Sequence, residues 1–268
     1  MTANARAVCR DVIRQAVPPN EWAANERFCG ELLEQIKSHP LMSDPIIAAL
    51  GTGKLDEKQL KRGHLEFRYA FAQTFTDALL RAMFLAHRLE PRFGPMGKVA
   101  ARFLLQFNVL DELGFAPADE SAGSYGGTPA NSHYVKFFET LRDLGIDEAQ
   151  VAAYVPSAAA VACLRMIESA GDDLEGTLAI LTVEETIFES FATPWAANMR
   201  RRTTVDTEHG YHSLHVEHDG ESVDDHHAED LWYVLRMVLS REKYEHVRRT
   251  TADCLDAVHG FVRSFADA

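Results

Sequence analysis

An apolar helical segment that ends in two carboxylates is the feature that most constrains the fold. Residues 98–114 read KVAARFLLQFNVLDELG, and their apolar side chains would occupy nearly every face of a helix. A helix that is apolar all round has to be covered by protein on every side, so this segment predicts the centre of a helical bundle. Asp111 and Glu112 lie at its end, where a carboxylate is costly unless it is paired or bound to a metal ion.

Helical periodicity extends over most of the chain. Residues 59–87 carry one long apolar stripe without an interior proline, and no segment alternates strongly enough to favour a strand. The interruption at 115–132 is rich in Gly, Pro and Ser, which predicts a loop insertion. We therefore predict an all-α fold, a single-domain bundle of about eight helices over residues 1–268.

Composition excludes several classes of partner. The net charge of −13 argues against nucleic acid and against an anionic membrane, because both attract basic surfaces. No apolar run reaches the roughly 20 residues of a membrane span. Charges interrupt the apolar positions of residues 1–17, which is not typical of a signal peptide. The four cysteines are scattered and form no CxxC motif, so a cytoplasmic location with reduced thiols is expected.

A histidine-rich segment, residues 203–228, follows the helix predicted over residues 174–202. His215 and Asp219 are four residues apart and would share one face of a helix. If that helix continued unbroken, His226 would return to within roughly 20° of His215. Imidazole and carboxylate on one stripe suit iron, manganese or zinc. The alternatives are a pH-sensitive surface helix and an adventitious histidine cluster.

Other ionisable residues lie at positions where the pattern demands apolar side chains. Glu184 and Glu185 are embedded in LAILTVEETIF, and His133 opens a helix directly after the loop insertion. Together with Glu112 and the histidine-rich segment, they distribute carboxylates and imidazoles over several helices. Helical bundles that bind two iron or manganese ions build their sites in this way.

Several motifs resemble those of heme-oxygenase-like diiron oxidases and oxygenases. Four segments are similar to sequence motifs of that superfamily: NVLDELG, SHYVKFFETLRDLG, LAILTVEE and LHVEHDG. One departure is Ser222, a poor ligand, which occupies the third place of the His-x3-Asp-x2-His pattern. The resemblance implies a set of metal ligands, with His227 and Glu184 as alternates: Glu112, His133, Glu185, His215, Asp219 and His226.

The resemblance also implies an activity. It predicts an enzyme with two Fe2+ ions as cofactor and O2 as co-substrate. Its small organic substrate would undergo N-oxygenation, oxidative C–C cleavage or desaturation in a biosynthetic pathway. An external electron donor is a candidate partner, and a homodimer is one assembly that the sequence allows. The residues expected to line the substrate pocket are Phe71, Phe75, Phe188, Trp195 and Tyr211.

Two alternatives remain open. The first is a metal-free enzyme of the same fold, similar to the thiaminase-type pyrimidine hydrolases or the cofactorless quinone-forming oxidase. The hydrolases use a cysteine nucleophile, and no cysteine here is adjacent in sequence to the carboxylate-bearing segments. The second is a non-catalytic bundle that binds a metal or a protein partner, for which several buried carboxylates would be an unnecessary burden.

Overall fold

The chain folds almost entirely into α-helices, which confirms the all-α prediction. The structure is a computed structural model that describes residues 4–116, 126–215 and 223–266, without the side chains of residues 189 and 223–225. The helices of this described part are α1 (Ala5–Ala16), α2 (Pro19–Ser38), α3 (Pro45–Gly51), α4 (Glu57–Phe67), α5 (Phe75–Leu85), α6 (Glu90–Glu112), α7 (His133–Asp143), α8 (Glu148–Ala153), α9 (Ala158–Ser169), α10 (Leu174–Arg202), α11 (Tyr211–Leu214), α12 (Val223–Val238) and α13 (Tyr244–Arg263).

Helix α10 occupies the centre of the bundle. It packs against α3, α5, α12 and α13, and its residues from Leu178 to Glu185 are all buried. The predicted central segment belongs to α6, which instead lies on one side, between α1, α5 and α12. Val99 and Phe103 of α6 are exposed. The expectation that this helix is covered on every side is therefore wrong.

The long helix predicted over residues 59–87 is divided in two. Helix α4 begins at Asp56, which forms a capping box with Gln59, and it ends at Phe67. A π-helical turn, Arg68–Ala72, follows before α5 begins. The sequence has no proline or glycine at this break, so local preference alone gives no signal for it. The turn directs Phe71 into the interior of the bundle.

The predicted loop between α6 and α7 is closed at its base by a short antiparallel pair. Strand β1 (Phe115–Ala116) pairs with β2 (Gly126–Gly127), and residues 117–125 lie outside the described part. Gly114 has a φ of 82°, and a Cβ there would lie 2.5 Å from the backbone nitrogen of Ser132. Only glycine permits this approach. The start of α7 therefore lies close to the end of α6.

Helix α1 is fastened to α12 by a buried carboxylate. Asp230 accepts from Arg6 Nε at 2.9 Å and from Arg10 Nη2 at 2.7 Å, and its side chain is wholly buried. This link holds the helix that carries His227. Across the described ranges, no helix combines the length and apolar character that a membrane crossing requires.

Candidate metal centre and substrate cavity

Glu112 and His133 form the first buried carboxylate–imidazole pair. Ser132 caps α7, so His133 is the first residue of that helix, and the close packing at Gly114 brings it to the end of α6. His133 Nδ1 lies 2.9 Å from Glu112 Oε1. Thr76 of α5 donates to Glu112 Oε2 at 3.4 Å. Both ligand candidates are buried.

Asp111 extends this pair on its other side. Its Oδ2 lies 3.3 Å from His133 Nε2 and 3.6 Å from His227 Nε2. The ring of His133 therefore stands between two consecutive carboxylates. The set of metal ligands that the resemblance implies does not include Asp111. Its position directly before Glu112 is the only signal for it, because the contact with His227 joins distant parts of the chain.

His227 and Glu185 form the second pair. His227 Nδ1 lies 3.8 Å from Glu185 Oε1, and both residues are buried. The main-chain carbonyl of His227 accepts from the Asn108 amide at 3.3 Å. His226, the predicted ligand, is exposed. The geometry thus favours the alternate, His227, because α12 turns that residue toward α6 and α10.

His215 lies beside these pairs, directly after the short helix α11. Its ring is 4.9 Å from the ring of His133 and 4.9 Å from that of Phe188, in both cases edge to face. Tyr211 packs against it at 4.6 Å. Helix α11 ends at Leu214, and His215 has a φ of −115° and a ψ of 8°, so His215 is not part of that helix. Asp219 itself lies outside the described residues.

Glu184 differs from its neighbour Glu185. It is buried, yet neither of its carboxylate oxygens has a hydrogen-bond partner in the part of the chain that the structure describes. Burial raises the pKa of its carboxyl to about 8. The structure therefore separates the two glutamates, one beside His227 and the other in an apolar environment.

The first pair is electrostatically coupled. Burial would raise the pKa of Glu112, but the charge of His133 and its contact with the carboxylate outweigh burial and lower that pKa. Burial would lower the pKa of His133, but Glu112 and Asp111 raise it well above its ordinary value. The pair therefore favours a carboxylate beside an imidazolium. A metal ion would take the place of the imidazolium proton.

The donors have the chemistry that a redox metal requires. Over residues 4–116, 126–215 and 223–266, they are arranged in pairs, and no group of three His, Cys, Asp or Glu side chains is already placed to hold a metal ion. Each pair nevertheless offers a carboxylate oxygen and an imidazole nitrogen, the ligands that iron and manganese accept. Two such pairs and His215 face one buried region, so the residues present fit a two-metal group in type and burial.

A largely apolar cavity adjoins the pairs. It encloses about 920 Å3 including its opening to solvent. Glu112, His133, Glu184, Glu185 and His215 form its polar part. Its predicted lining residues Phe71, Phe75, Phe188 and Tyr211 are found there. Further apolar walls come from Leu41, Met42, Ile47, Phe67, Ile187, Phe191, Val258, Phe261 and Val262.

Trp195 does not line the cavity. It is wholly buried behind the wall, where its ring packs 5.1 Å from Phe67 and 5.2 Å from Phe191. Its ring also lies 4.4 Å from that of His64. The prediction of Trp195 as a pocket residue is wrong, because an aromatic residue in a buried helix is as easily placed one layer behind a cavity as at its surface.

A buried histidine pair supports α11 from behind. His64 Nδ1 donates to the Leu60 carbonyl at 2.7 Å, so the Nε2 of the neutral ring accepts from His212 Nε2 at 3.1 Å. Burial lowers the pKa of His64 to about 4 and that of His212 well below its ordinary value. The sequence analysis did not single out His64. The only signal is that it shares an apolar face with Leu60 and Phe67.

Comparison with known proteins shows the fold alone. No protein-family model matches the chain, and no curated protein matches it. The chain is similar to a crystal structure, at 2.00 Å resolution, of a CADD-like protein of unknown function from Nostoc punctiforme. The identity is 17%, the TM-score is 0.56, and the match covers 92% of this chain and 97% of that chain. A second structure of that protein, at 1.35 Å, gives a TM-score of 0.53 at 17% identity, over 92% and 95%.

Proposed function

We propose that the protein is an O2-dependent non-heme diiron oxidase or oxygenase that acts on a small organic substrate. The observation that carries this proposal is the pair of buried carboxylate–imidazole contacts beside one apolar cavity. They join α6 to α7 and α10 to α12. Residues this far apart in sequence do not bring buried ionisable groups together without a compensating interaction. In the first pair, a carboxylate beside an imidazolium supplies part of that interaction, and a metal ion held by both donors would take the place of the proton.

The donors divide between two metal positions. Glu112 and His133 would hold one iron, while His215 and His227 would hold the other. Glu185 would be shared between them, as the resemblance to diiron enzymes implies. Asp219 would complete the second position, and it lies outside the described residues. His227 replaces His226 in this set, because His226 is exposed.

Bound iron would supply the activation of O2 and the oxidising power. The protein's own residues perform the remaining tasks. Asp111 contacts His133 and His227 and would orient both rings, as carboxylates beyond the ligands do in metal sites. The aromatic and aliphatic walls exclude water and take up the apolar part of a substrate. An electron donor and a homodimeric assembly stay predictions.

The metal-free hydrolase finds less support. Its nucleophile would be a thiolate, and burial raises the pKa of all four cysteine thiols. Cys163 and Cys254 are near enough to Glu184 for its charge to add to this effect. Protonated, buried thiols are poor nucleophiles.

Iron content of matched histidine variants tests the proposal. After anaerobic loading with Fe(II) and removal of free metal, the wild type is expected to retain about two irons per chain. His227→Ala should lose at least half of this iron, whereas His226→Ala, one residue away and exposed, should retain it. Wild-type protein that retains no iron above background would contradict the proposal. Equal retention by both variants would contradict the assignment of His227.

A further inference from the structure

Glu184 is a buried carboxylate in the cavity that the proposed metal set does not use. It is 6% exposed, and it lines the cavity together with Glu185. Glu185 faces His227, and successive side chains of a helix point about 100° apart. The side chain of Glu184 therefore faces a different part of the cavity from that of Glu185.

The surroundings of Glu184 offer it no partner. Neither carboxylate oxygen is hydrogen-bonded in the described part of the chain. Its neighbours Cys163 and Cys254 carry thiols, which are weak hydrogen-bond donors. The cavity wall contributed by α13, Val258, Phe261 and Val262, is apolar. A buried carboxyl group without a donor is costly, so a bound molecule that brings a donor would be favoured there.

We propose that Glu184 anchors an amino group of the substrate, and that the cavity takes an alkyl or aralkyl amine. The ammonium group would donate to Glu184, and the apolar body would lie against the aromatic and aliphatic walls. An ammonium supplies several N–H donors together with a positive charge, whereas a hydroxyl supplies one donor without charge and a carbonyl group supplies none. The chain's net charge of −13 also attracts cations.

This inference rests on the proposed function only in identifying the cavity as the substrate site. Amine binding at Glu184 requires no metal, because Glu184 is not among the proposed ligands. Binding can therefore be measured on the full-length, metal-free protein, separately from iron retention. If iron is not retained but amine binding depends on Glu184, the diiron proposal fails and this inference stands.

The experiment uses three probes of matching size: 2-phenylethylamine, 2-phenylethanol and phenylacetate. Isothermal titration calorimetry measures their affinities for the wild type, for Glu184→Gln and for Glu168→Gln, which changes an exposed residue of α9. Glutamine keeps the shape of glutamate and removes its charge. We expect the wild type to bind the amine at least about tenfold more tightly than the alcohol, the smallest effect of a hydrogen bond to a charged group. Phenylacetate should bind more weakly than either.

The two variants separate an anchor from a general effect of acidity. Glu184→Gln should reduce the preference for the amine over the alcohol to about twofold or less, whereas Glu168→Gln should keep it. The inference is overturned if the wild type shows no such preference. It is equally overturned if the preference survives in Glu184→Gln, or if both variants lose it to the same extent. Circular dichroism verifies that each variant is folded.

Discussion

At the scale of single residues, Glu184 and Glu185 show how one helical step changes chemistry. Both are glutamates buried on α10. Glu185 lies 3.8 Å from His227, whereas burial raises the pKa of Glu184 to about 8. A metal ligand has to be deprotonated and close to other donors. Glu185 meets the second condition and Glu184 does not.

Substitution of each glutamate tests this distinction. Glu185→Gln should lose most of the iron that the wild type retains, because it removes a charged donor shared by both positions. Glu184→Gln should retain the iron and gain stability in urea, since a buried carboxyl group without a partner is replaced by a neutral amide. Metal analysis and urea unfolding measure both effects. Iron loss in Glu184→Gln with retention in Glu185→Gln would reverse the assignment.

The pair His64 and His212 makes stability depend on pH. Burial lowers the pKa of His64 to about 4, against a smaller opposing effect of its hydrogen bond to Leu60. In the unfolded chain the pKa is about 6.5, so the unfolded state binds more protons between these values. The contribution of His64 is therefore complete above about pH 6.5 and is lost as the pH falls toward 4.

Replacement of His64 should make the free energy of unfolding less dependent on pH. Between pH 7 and pH 4.5, the free energy of unfolding of the wild type should fall more than that of His64→Gln, by up to about 3 kcal/mol. The exposed His87→Gln serves as the control and should behave like the wild type. Urea unfolding at the two pH values gives the comparison. Parallel curves for the wild type and His64→Gln would show that His64 is not buried as a neutral ring.

At the scale of elements, the connection between α6 and α7 determines whether the first pair can form. Gly114 follows Glu112 by two residues, and its positive φ of 82° lets the chain reverse. A Cβ at this position would lie 2.6 Å from the Thr128 carbonyl oxygen and 2.5 Å from the Ser132 nitrogen. These are backbone atoms, so they cannot move aside independently. The glycine therefore positions His133 as well as the loop.

Gly114→Ala should affect both stability and metal binding. We expect a loss of about 3 kcal/mol in the free energy of unfolding, from the left-handed conformation and the backbone contacts. Iron retention should fall because His133 is displaced from Glu112. Gly30→Ala is the control: it lies within α2, nothing lies within 4 Å of its added Cβ, and alanine favours a helix. Unchanged iron retention in Gly114→Ala would contradict the role of this turn.

The sequence predicted the helices better than the breaks between them. Helical periodicity is local, and it gave the all-α fold correctly. The π-turn Arg68–Ala72 is not visible in the sequence, because no proline or glycine marks it. The choice between His226 and His227 depended on the rotation of α12. That rotation is set by its contacts with α6 and α10, and not by spacing from His215.

At the scale of the whole molecule, the candidate site joins segments that no local pattern connects. His64 and His212 are separated by 148 positions, and Asn108 and His227 by 119. The sequence indicated which ionisable residues lie at positions where the helical pattern demands apolar side chains. It could not indicate how they pair, nor that Asp111 would reach two histidines, since these contacts follow from the packing of α6, α7, α10 and α12.

Iron binding should stabilise the entire fold, because the proposed ligands come from five separate parts of the bundle: α6, α7, α10, α12 and the residue after α11. A ligand present at 100 times its dissociation constant adds about 2.7 kcal/mol per site, which predicts a rise in Tm of about 5 °C or more. Anaerobic thermal unfolding with Fe(II), with Mg(II) as the control, measures this rise. The shift should be absent in Glu185→Gln. An equal shift with Mg(II) would indicate nonspecific screening of the acidic chain.

Mössbauer spectroscopy tests the central claim, that two irons share one site, most directly. The full chain would be loaded anaerobically with 57Fe(II), freed of excess metal and then exposed to O2. We predict about two irons per chain, which oxidise to a spin-coupled ferric pair with a diamagnetic ground state. A single, magnetically isolated ferric ion per chain, or protein that retains no iron, would contradict the diiron account.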